Sequence, residues 1–277
     1  MGIVLFVYGD ESMDETKQRV CAVAGIIGTD EQWRALEWHW LSRNNGVPFH
    51  ANDCDSDQGD YKSRPHWRNK ALYRDLALML ADSGMAGFGQ AIDLAAKAKV
   101  FPESEDLSYY TAFQRVILAM KNFAKHARDV ADLTFDMRLE SEHNAGLIYG
   151  VLRENEPDWA AHLASKISFE FAKDNPKIQA ADLLAREAMK ALDNAVGPQK
   201  RPIRKSWKAL RETGNFDVDA FSTDWFEDMK RKLPEAEKML GMNRDSYRQW
   251  LRERNRQHSI TNMFHYCDWT AKRDAGI

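Results

Sequence analysis

Four acidic side chains stand at positions where carboxylates could do chemistry. Asp10 and Glu11 follow the apolar run 3-IVLFVY-8, and Asp136 comes at the end of a second apolar stretch. Asp182 lies within 178-IQAADLLA-185, where an unpaired carboxylate in an apolar helical segment would be costly. A role as ordinary turn residues is the alternative for the first three acids. For Asp182 the pattern favours a bound partner.

The elements that must position these acids follow from hydrophobic periodicity. Strands are predicted at residues 3–9, 19–28, 85–94, 131–137 and 166–172. Helices are predicted at residues 30–44, 66–84, 108–127, 141–155 and 176–194. Hairpin-connected strands that precede helix-connected strands indicate an α/β fold with a mixed five-stranded sheet flanked by helices.

This order of elements predicts that the acids converge. If strands one and four are parallel, their carboxyl ends lie at the same edge of the sheet, where open α/β sheets bind ligands. Carboxylates a few ångströms apart raise one another's pKa, so a divalent cation is their natural neutraliser. Ligands that are all oxygen favour Mg²⁺ or Mn²⁺. The sequence therefore predicts a metal site built from Asp10, Glu11, Asp136 and Asp182.

The composition is that of a globular chain of 277 residues, 44% hydrophobic and 29% charged. The longest apolar run, 3-IVLFVY-8, is too short to cross a bilayer, so no membrane partner is expected. The three cysteines lack a C-x-x-C spacing, which argues against a disulfide framework and a structural zinc site. We therefore expect a cytoplasmic protein.

Charge is distributed unevenly along the chain. Residues 1–196 contain 22 Lys and Arg against 30 Asp and Glu, and residues 197–277 contain 17 against 12. The basic segment interleaves cations with aromatic residues, as nucleic-acid-binding surfaces do, although amphipathic helices that bury these aromatics are the alternative. The candidate phosphate-binding residues are Arg201, Arg204, Lys205, Arg248, Arg252 and Arg256. Nucleic acid is the expected partner, DNA or RNA undecided, and a homo-oligomer is left open.

Competing motifs are excluded on chemical grounds. The stretch 53-DCDSDQGD-60 places acids at alternate positions, as calcium loops do, but Gln58 stands at the sixth position and Arg64 at the twelfth. We predict a solvated acidic loop there. Phosphate-binding-loop, serine-hydrolase and zinc-protease motifs are absent from the sequence.

The stretches YGDES, LTFDMR and QAADLLA together resemble the family known as domain of unknown function 3800, which is similar in fold to ribonuclease H-like nucleases. The phrase 49-FHA-51 also resembles a motif of that family. The family's first motif usually continues D-E-S-G, whereas Met13 replaces the glycine here. The resemblance covers about residues 1–194.

This resemblance implies a ribonuclease H-like domain over residues 1–196. The predicted order of elements gives this domain a helical insertion at about 30–84, and the charge distribution indicates a separate basic helical extension over residues 197–277, which the resemblance does not cover. The resemblance also implies that the four acids hold two metal ions and that the reaction is hydrolysis of phosphodiester bonds. His50 is then a candidate for moving a proton or contacting phosphate, and a structural histidine is the alternative. A non-catalytic nucleic-acid-binding protein of the same fold is the competing hypothesis.

Overall fold

The computed structural model describes residues 4–16, 18–102, 108–137, 142–155, 157–198 and 200–240. The chain divides into two compact units, residues 1–226 and residues 227–277. The sheet and the candidate site lie in the first unit. Within the described ranges, every helix is too short or too polar to span a bilayer.

A six-stranded mixed sheet forms the centre of the first unit. Its strands are β1 (Val4–Met13), β2 (Val20–Gly28), β3 (Ala86–Asp93), β4 (Val130–Asp136), β5 (Leu163–Glu170) and β6 (Phe216–Phe221). Their order across the sheet is β5-β4-β1-β2-β3-β6. The β1–β2 and β2–β3 pairs are antiparallel, and the β1–β4, β4–β5 and β3–β6 pairs are parallel. The predicted α/β class and the parallel pairing of strands one and four are confirmed.

The helices are α1 (Asp30–Asn44), α2 (Ala51–Ser56), α3 (His66–Ala81), α4 (Leu94–Val100), α5 (Ser108–Ala127), α6 (Glu142–Asn155), α7 (Pro157–His162), α8 (Pro176–Val196), α9 (Lys205–Glu212) and α10 (Thr223–Leu240). Short 3₁₀ turns stand at Gly59–Tyr61 and Ala172–Asp174. The predicted helical insertion corresponds to α1, α2 and α3. The start of α8 follows from its sequence, because the Asn175 side chain accepts a hydrogen bond from the Lys177 amide at 3.0 Å and Pro176 occupies the first turn.

The predicted count of five strands is wrong, because β6 lies in the segment that was expected to be helical. Its sequence, FDVDAF, alternates apolar and acidic residues, and within the described ranges it pairs with β3 alone, at the edge of the sheet. An edge strand needs only one apolar face, so acids can occupy its other face. Because Asp217 and Asp219 interrupt the apolar pattern, the sequence did not indicate a strand here. The compact unit that contains the sheet consequently extends to residue 226 instead of ending at 196.

Strand β1 is also longer than predicted. It was expected to end at residue 9, but its pairing with β2 continues from Asp10 opposite Ala24 to Met13 opposite Cys21. The acids Asp10 and Glu11 therefore lie inside a strand instead of following one. The neighbour β4, however, ends at Asp136, and its pairing with β1 runs only from Val4 to Gly9, one residue before the first acid.

The two faces of the sheet are covered by different helices. Helix α8 packs on β1, β2 and β3, and helix α5 packs on β2, β3 and β4. Successive residues of β2 face opposite sides of the sheet. Ala24 and Ile26 belong to the core that contains α8. A side chain at Gly25 would instead meet Val116 and Met120 of α5. All nine residues of β2 are buried, as expected for a central strand covered on both faces.

Close packing requires a glycine at position 9, one residue before Asp10. A Cβ atom at this position would overlap the ring of Phe135, which is buried and packs edge-on against Phe113 at 5.0 Å. We expect Gly9→Ala to lower the free energy of unfolding by about 2 kcal/mol, because the ring has no free space into which to move. Urea denaturation checks this value.

The matched control is Gly146→Ala in α6, where an added Cβ meets no atom within 4 Å. Alanine stabilises a helix interior relative to glycine, so this variant should gain about 0.5–1 kcal/mol. Equal effects of the two substitutions would show that crowding against Phe135 does not restrict residue 9.

Candidate metal centre

Three of the predicted acids come together where β4 ends beside β1. The parallel register pairs Gly9 with Phe135, so Asp10 and Asp136 follow at the same level of the sheet. Asp10, Glu11 and Asp136 each place a carboxylate oxygen so that these atoms all lie within 4.8 Å of one another. Asp10 is buried, and the other two are half-buried.

Asp182 approaches this group from α8. It is buried, and its Oδ2 accepts a hydrogen bond from the Ala51 amide at 2.7 Å. The negative charge of Asp182 also raises the pKa of Asp10. The apolar stretch of α8 led us to expect a partner for this carboxylate. The backbone amide of Ala51 is one such partner.

The electrostatics of the four acids make the fully ionised site unfavourable. Burial, followed by the charges of Asp182, Glu11 and Asp136, raises the pKa of Asp10 well above its usual range. Burial also raises the pKa of Asp182, although His50, the Ala51 amide and Arg186 oppose the shift. A bound proton or a cation would relieve this repulsion.

The segment that resembles a family motif, 49-FHA-51, is held against α8 by two buried side chains. The Phe49 amide donates to Gln179 Oε1 at 2.9 Å, and the Ala51 amide donates to Asp182. The indole of Trp40 donates to the same Gln179 oxygen at 3.3 Å. Because Gln179 and Asp182 are three residues apart on α8, they lie on one face of the helix and grip alternate residues of an extended segment. His50 lies between the two anchored residues.

Gln179 also connects this segment to the acid at the end of β4. Its Nε2 donates to the Ala172 carbonyl at 2.9 Å, while the Ala172 amide donates to Asp136 Oδ1 at 2.8 Å. One buried amide side chain therefore fixes the backbone on both sides of the site. Gln179 was not among the predicted site residues, since a glutamine carries no charge that would mark it in the sequence.

The side chain of His50 is 57% exposed, and its Nδ1 lies 3.1 Å from Asp53 Oδ2. It lies close enough to Asp182 to lower the pKa of that acid. The structure thus places His50 at the rim of the acid cluster with a carboxylate that can orient its ring. Its role in proton transfer or phosphate contact stays a prediction.

A second polar cluster was not foreseen. The predicted solvated loop 53–60 instead contains α2, and the side chain of Asp55 is only 7% exposed. Asp55 binds Lys70 at 2.8 Å, Arg204 at 3.0 Å and Arg186 at 3.3 Å. Arg204 also binds buried Glu187 at 2.9 Å. The prediction of a solvated loop is wrong for Asp55, because three cations from α3, α8 and the segment before α9 neutralise it. The end of the stretch, from Gln58 to Asp60, is exposed as predicted.

This cluster yields a pH-dependent stability. Burial alone would raise the pKa of Asp55, but Arg204, Lys70 and Arg186 outweigh it and lower the pKa from 3.8 to about 2. A folded-state pKa below the unfolded value stabilises the protein above about pH 4, and this stabilisation disappears as the pH falls through about 2. We expect Asp55→Asn to cost about 2 kcal/mol at pH 7, and the difference should shrink between pH 4 and pH 2.

Urea denaturation over this pH range measures the effect. Glu154→Gln, which neutralises an exposed acid on α6, is the control and should change stability by less than about 0.5 kcal/mol. A cost for Asp55→Asn that does not vary with pH would contradict the ionic origin of the stabilisation.

The predicted phosphate-binding residues are placed unequally. Arg201 and Lys205 are exposed, and Arg204 is half-buried with its guanidinium bound to Asp55 and Glu187. The other three, Arg248, Arg252 and Arg256, lie outside the described residues. Contact with nucleic acid stays a prediction for all six.

No protein-family model matches the sequence, and a search among curated proteins finds no significant match.

Proposed function

We propose that this protein is a divalent-metal-dependent nuclease that hydrolyses phosphodiester bonds at the acid cluster. The observation that carries the proposal is the meeting of Asp10, Glu11 and Asp136, with Asp182 beside them. The stretches that carry the resemblance to the domain of unknown function 3800 family are far apart in the sequence, and the acids Asp10, Asp136 and Asp182 within them act on one another here. The ribonuclease H-like character of the sheet is part of the same proposal.

The donor set fits Mg²⁺ or Mn²⁺. All ligand atoms are carboxylate oxygens, and oxygen ligands at about 2.0–2.1 Å from Mg²⁺ are roughly 4 Å apart across the ion. The observed spread of up to 4.8 Å is close to that span. The shared repulsion that raises the pKa of Asp10 and of Asp182 is relieved by a cation. We propose that the four acids together hold two ions.

When bound, such ions activate a water molecule and stabilise the charge that develops on the phosphate. The chain's own residues supply the positioning. The Ala51 amide orients Asp182, and the Ala172 amide orients Asp136. His50, exposed at the rim with Asp53 beside it, is available to hold or move a proton at its imidazole.

The direct test is incubation of the purified protein with labelled single-stranded and double-stranded DNA and RNA. We expect cleavage of at least one substrate with Mg²⁺ or Mn²⁺ and none with a chelator. Metal-dependent binding of the substrates without any cleavage would favour the alternative, a non-catalytic nucleic-acid-binding protein. Cleavage that persists in the chelator would contradict the proposal.

A further inference from the structure

A concave site lies along the carboxyl-terminal half of α8. It is a cleft of about 770 Å³ between this part of the helix and the segment that leads into α9. The charged and aromatic residues that line it include Arg19, Lys70, Lys190, Arg201, Arg204 and Trp207. This cleft is separate from the acid cluster, which none of these residues joins.

The cleft holds more positive charge than its own acids neutralise. The two acids in its lining are Asp55 and Asp193. Asp55 is bound by Lys70 and Arg204 and also by Arg186, which does not line the cleft, and Asp193 is bound by Arg19. Both acids are therefore already paired with cationic side chains.

Lys190 and Arg201 are the cations left over. Neither side chain forms an ion pair or hydrogen bond within the part of the chain that the structure describes. Lys190 is half-buried, and burial followed by the nearby charge of Arg186 lowers its pKa, although the charge of Asp55 opposes the shift. A half-buried ammonium group beside arginines is held in an unfavourable position unless an anion joins it.

The surroundings favour a phosphate group over a carboxylate of a partner protein. An adjoining depression of about 590 Å³ shares Lys70 with the cleft and adds Arg74, Lys205 and Trp67. The indole of Trp67 is 66% exposed. Separated cations next to an exposed aromatic ring are the combination that binds successive phosphates and stacks a base.

We propose that this cleft binds the phosphate groups of a nucleotide ligand through Lys190 and Arg201. Where the ligand is a nucleic-acid strand, the inference rests on the proposed function and deepens it. Lys190 lies eight residues after Asp182 on α8, a distance of about 12 Å along the helix axis. That length corresponds to roughly three to four phosphates of one strand in a duplex. The cleft and the acid cluster therefore lie within the reach of one short strand.

The test compares two charge-matched double variants. Lys190→Gln with Arg201→Gln removes the unpaired cations of the cleft. The control, Lys99→Gln with Lys166→Gln, removes two exposed lysines on α4 and β5. Binding of labelled single-stranded DNA and RNA oligonucleotides is measured by fluorescence anisotropy with chelator present, so that metal-dependent chemistry is silent. Thermal melting verifies that both variants are folded.

We expect the cleft variant to bind about tenfold more weakly and the slope of log affinity against log salt to fall by about two. The control should bind within about twofold of wild type. Equal binding by the cleft variant and the control would overturn the proposal.

A second arm identifies the source of the phosphate. Titration with ATP in chelator reports whether a free nucleotide binds, and competition against the oligonucleotide reports whether the two share the cleft. ATP binding that the cleft variant loses assigns the site to free nucleotides, and oligonucleotide binding that ATP does not displace assigns it to strands. A failed cleavage assay with intact cleft binding would reject the nuclease proposal alone. Intact cleavage with unaffected binding by the cleft variant would reject the cleft alone.

Discussion

Replacing Asp10 by Asn should reduce metal-dependent cleavage at least about a thousandfold while leaving the metal-free protein more stable than wild type. Asp10 is buried, and its carboxylate lies within 4.8 Å of those of Glu11 and Asp136, so we expect it to be the proposed metal ligand whose loss weakens the site most. The charge of Asp10 destabilises the fold when no cation is bound, because burial and three neighbouring acids raise the pKa of Asp10. Removing the charge of Asp10 should therefore lower the cleavage rate and raise the stability of the metal-free protein.

The sign of the stability effect depends on pH. A carboxyl whose folded-state pKa lies above its unfolded value stabilises the protein below the unfolded pKa, near 3.8, and loses that contribution as the pH rises through the folded pKa. The melting temperature of Asp10→Asn in chelator should therefore exceed that of wild type at pH 7.5, and the two should converge near pH 4. Thermal melts at both pH values, together with cleavage rates, measure this.

The control is Asp60→Asn, which removes an exposed acid of the same shape. It should retain wild-type cleavage and melt within a few degrees of wild type. If Asp10→Asn cleaves as well as this control, Asp10 is not a metal ligand. If it melts below wild type in chelator at pH 7.5, the repulsion among the acids is not the dominant local effect.

The second large effect is expected at Gln179. Its side chain holds the backbone at Phe49 and at Ala172, on the two sides of the acid cluster, and is not itself one of the acids. Gln179→Ala leaves the Phe49 amide, the Trp40 indole and the Ala172 carbonyl without their partner. Each buried polar group left unsatisfied costs about 1 kcal/mol or more, so we expect a loss of about 3 kcal/mol. Cleavage should fall about 10- to 100-fold at a temperature where the variant is folded, because His50 and Asp136 lose their fixed positions.

Gln114→Ala, at an exposed position on α5, is the matched control and should change neither quantity appreciably. Urea denaturation and cleavage rates are measured on both variants, and Mn²⁺ affinity is measured as well. A purely structural role for Gln179 would lower stability and leave the cleavage rate of the folded fraction unchanged. That outcome would remove Gln179 from the positioning of the site.

The sequence predicts most of the sheet and much of the acid cluster, for a physical reason. Strands covered on both faces need continuous apolar runs, and carboxylates that end or interrupt such runs are visible as exceptions. Asp10, Asp136 and Asp182 were identified in this way. The extension of β1 past Asp10 could not be predicted, because it depends on pairing with β2 and not on the local pattern.

The features that the sequence conceals are those made by contacts between distant segments. Asp55 meets Arg186 and Arg204 across separations of 131 and 149 residues. Nothing in the local spacing of 53-DCDSDQGD-60 distinguishes a buried aspartate from a solvated one, so the ion cluster was missed. The edge strand β6 was missed for a related reason, since its partner β3 lies more than a hundred residues earlier in the chain.

The central claim is that the acids within β1 and at the end of β4 bind divalent cations, and anomalous diffraction from crystals soaked in Mn²⁺ tests it most directly. We predict anomalous peaks within bonding distance of the carboxylates of Asp10 and Asp136, with Glu11 and Asp182 as neighbouring ligands, and loss of these peaks in Asp10→Asn crystals. An anomalous map with no peak at these carboxylates, from crystals in which they are accessible to the soak, would contradict the account.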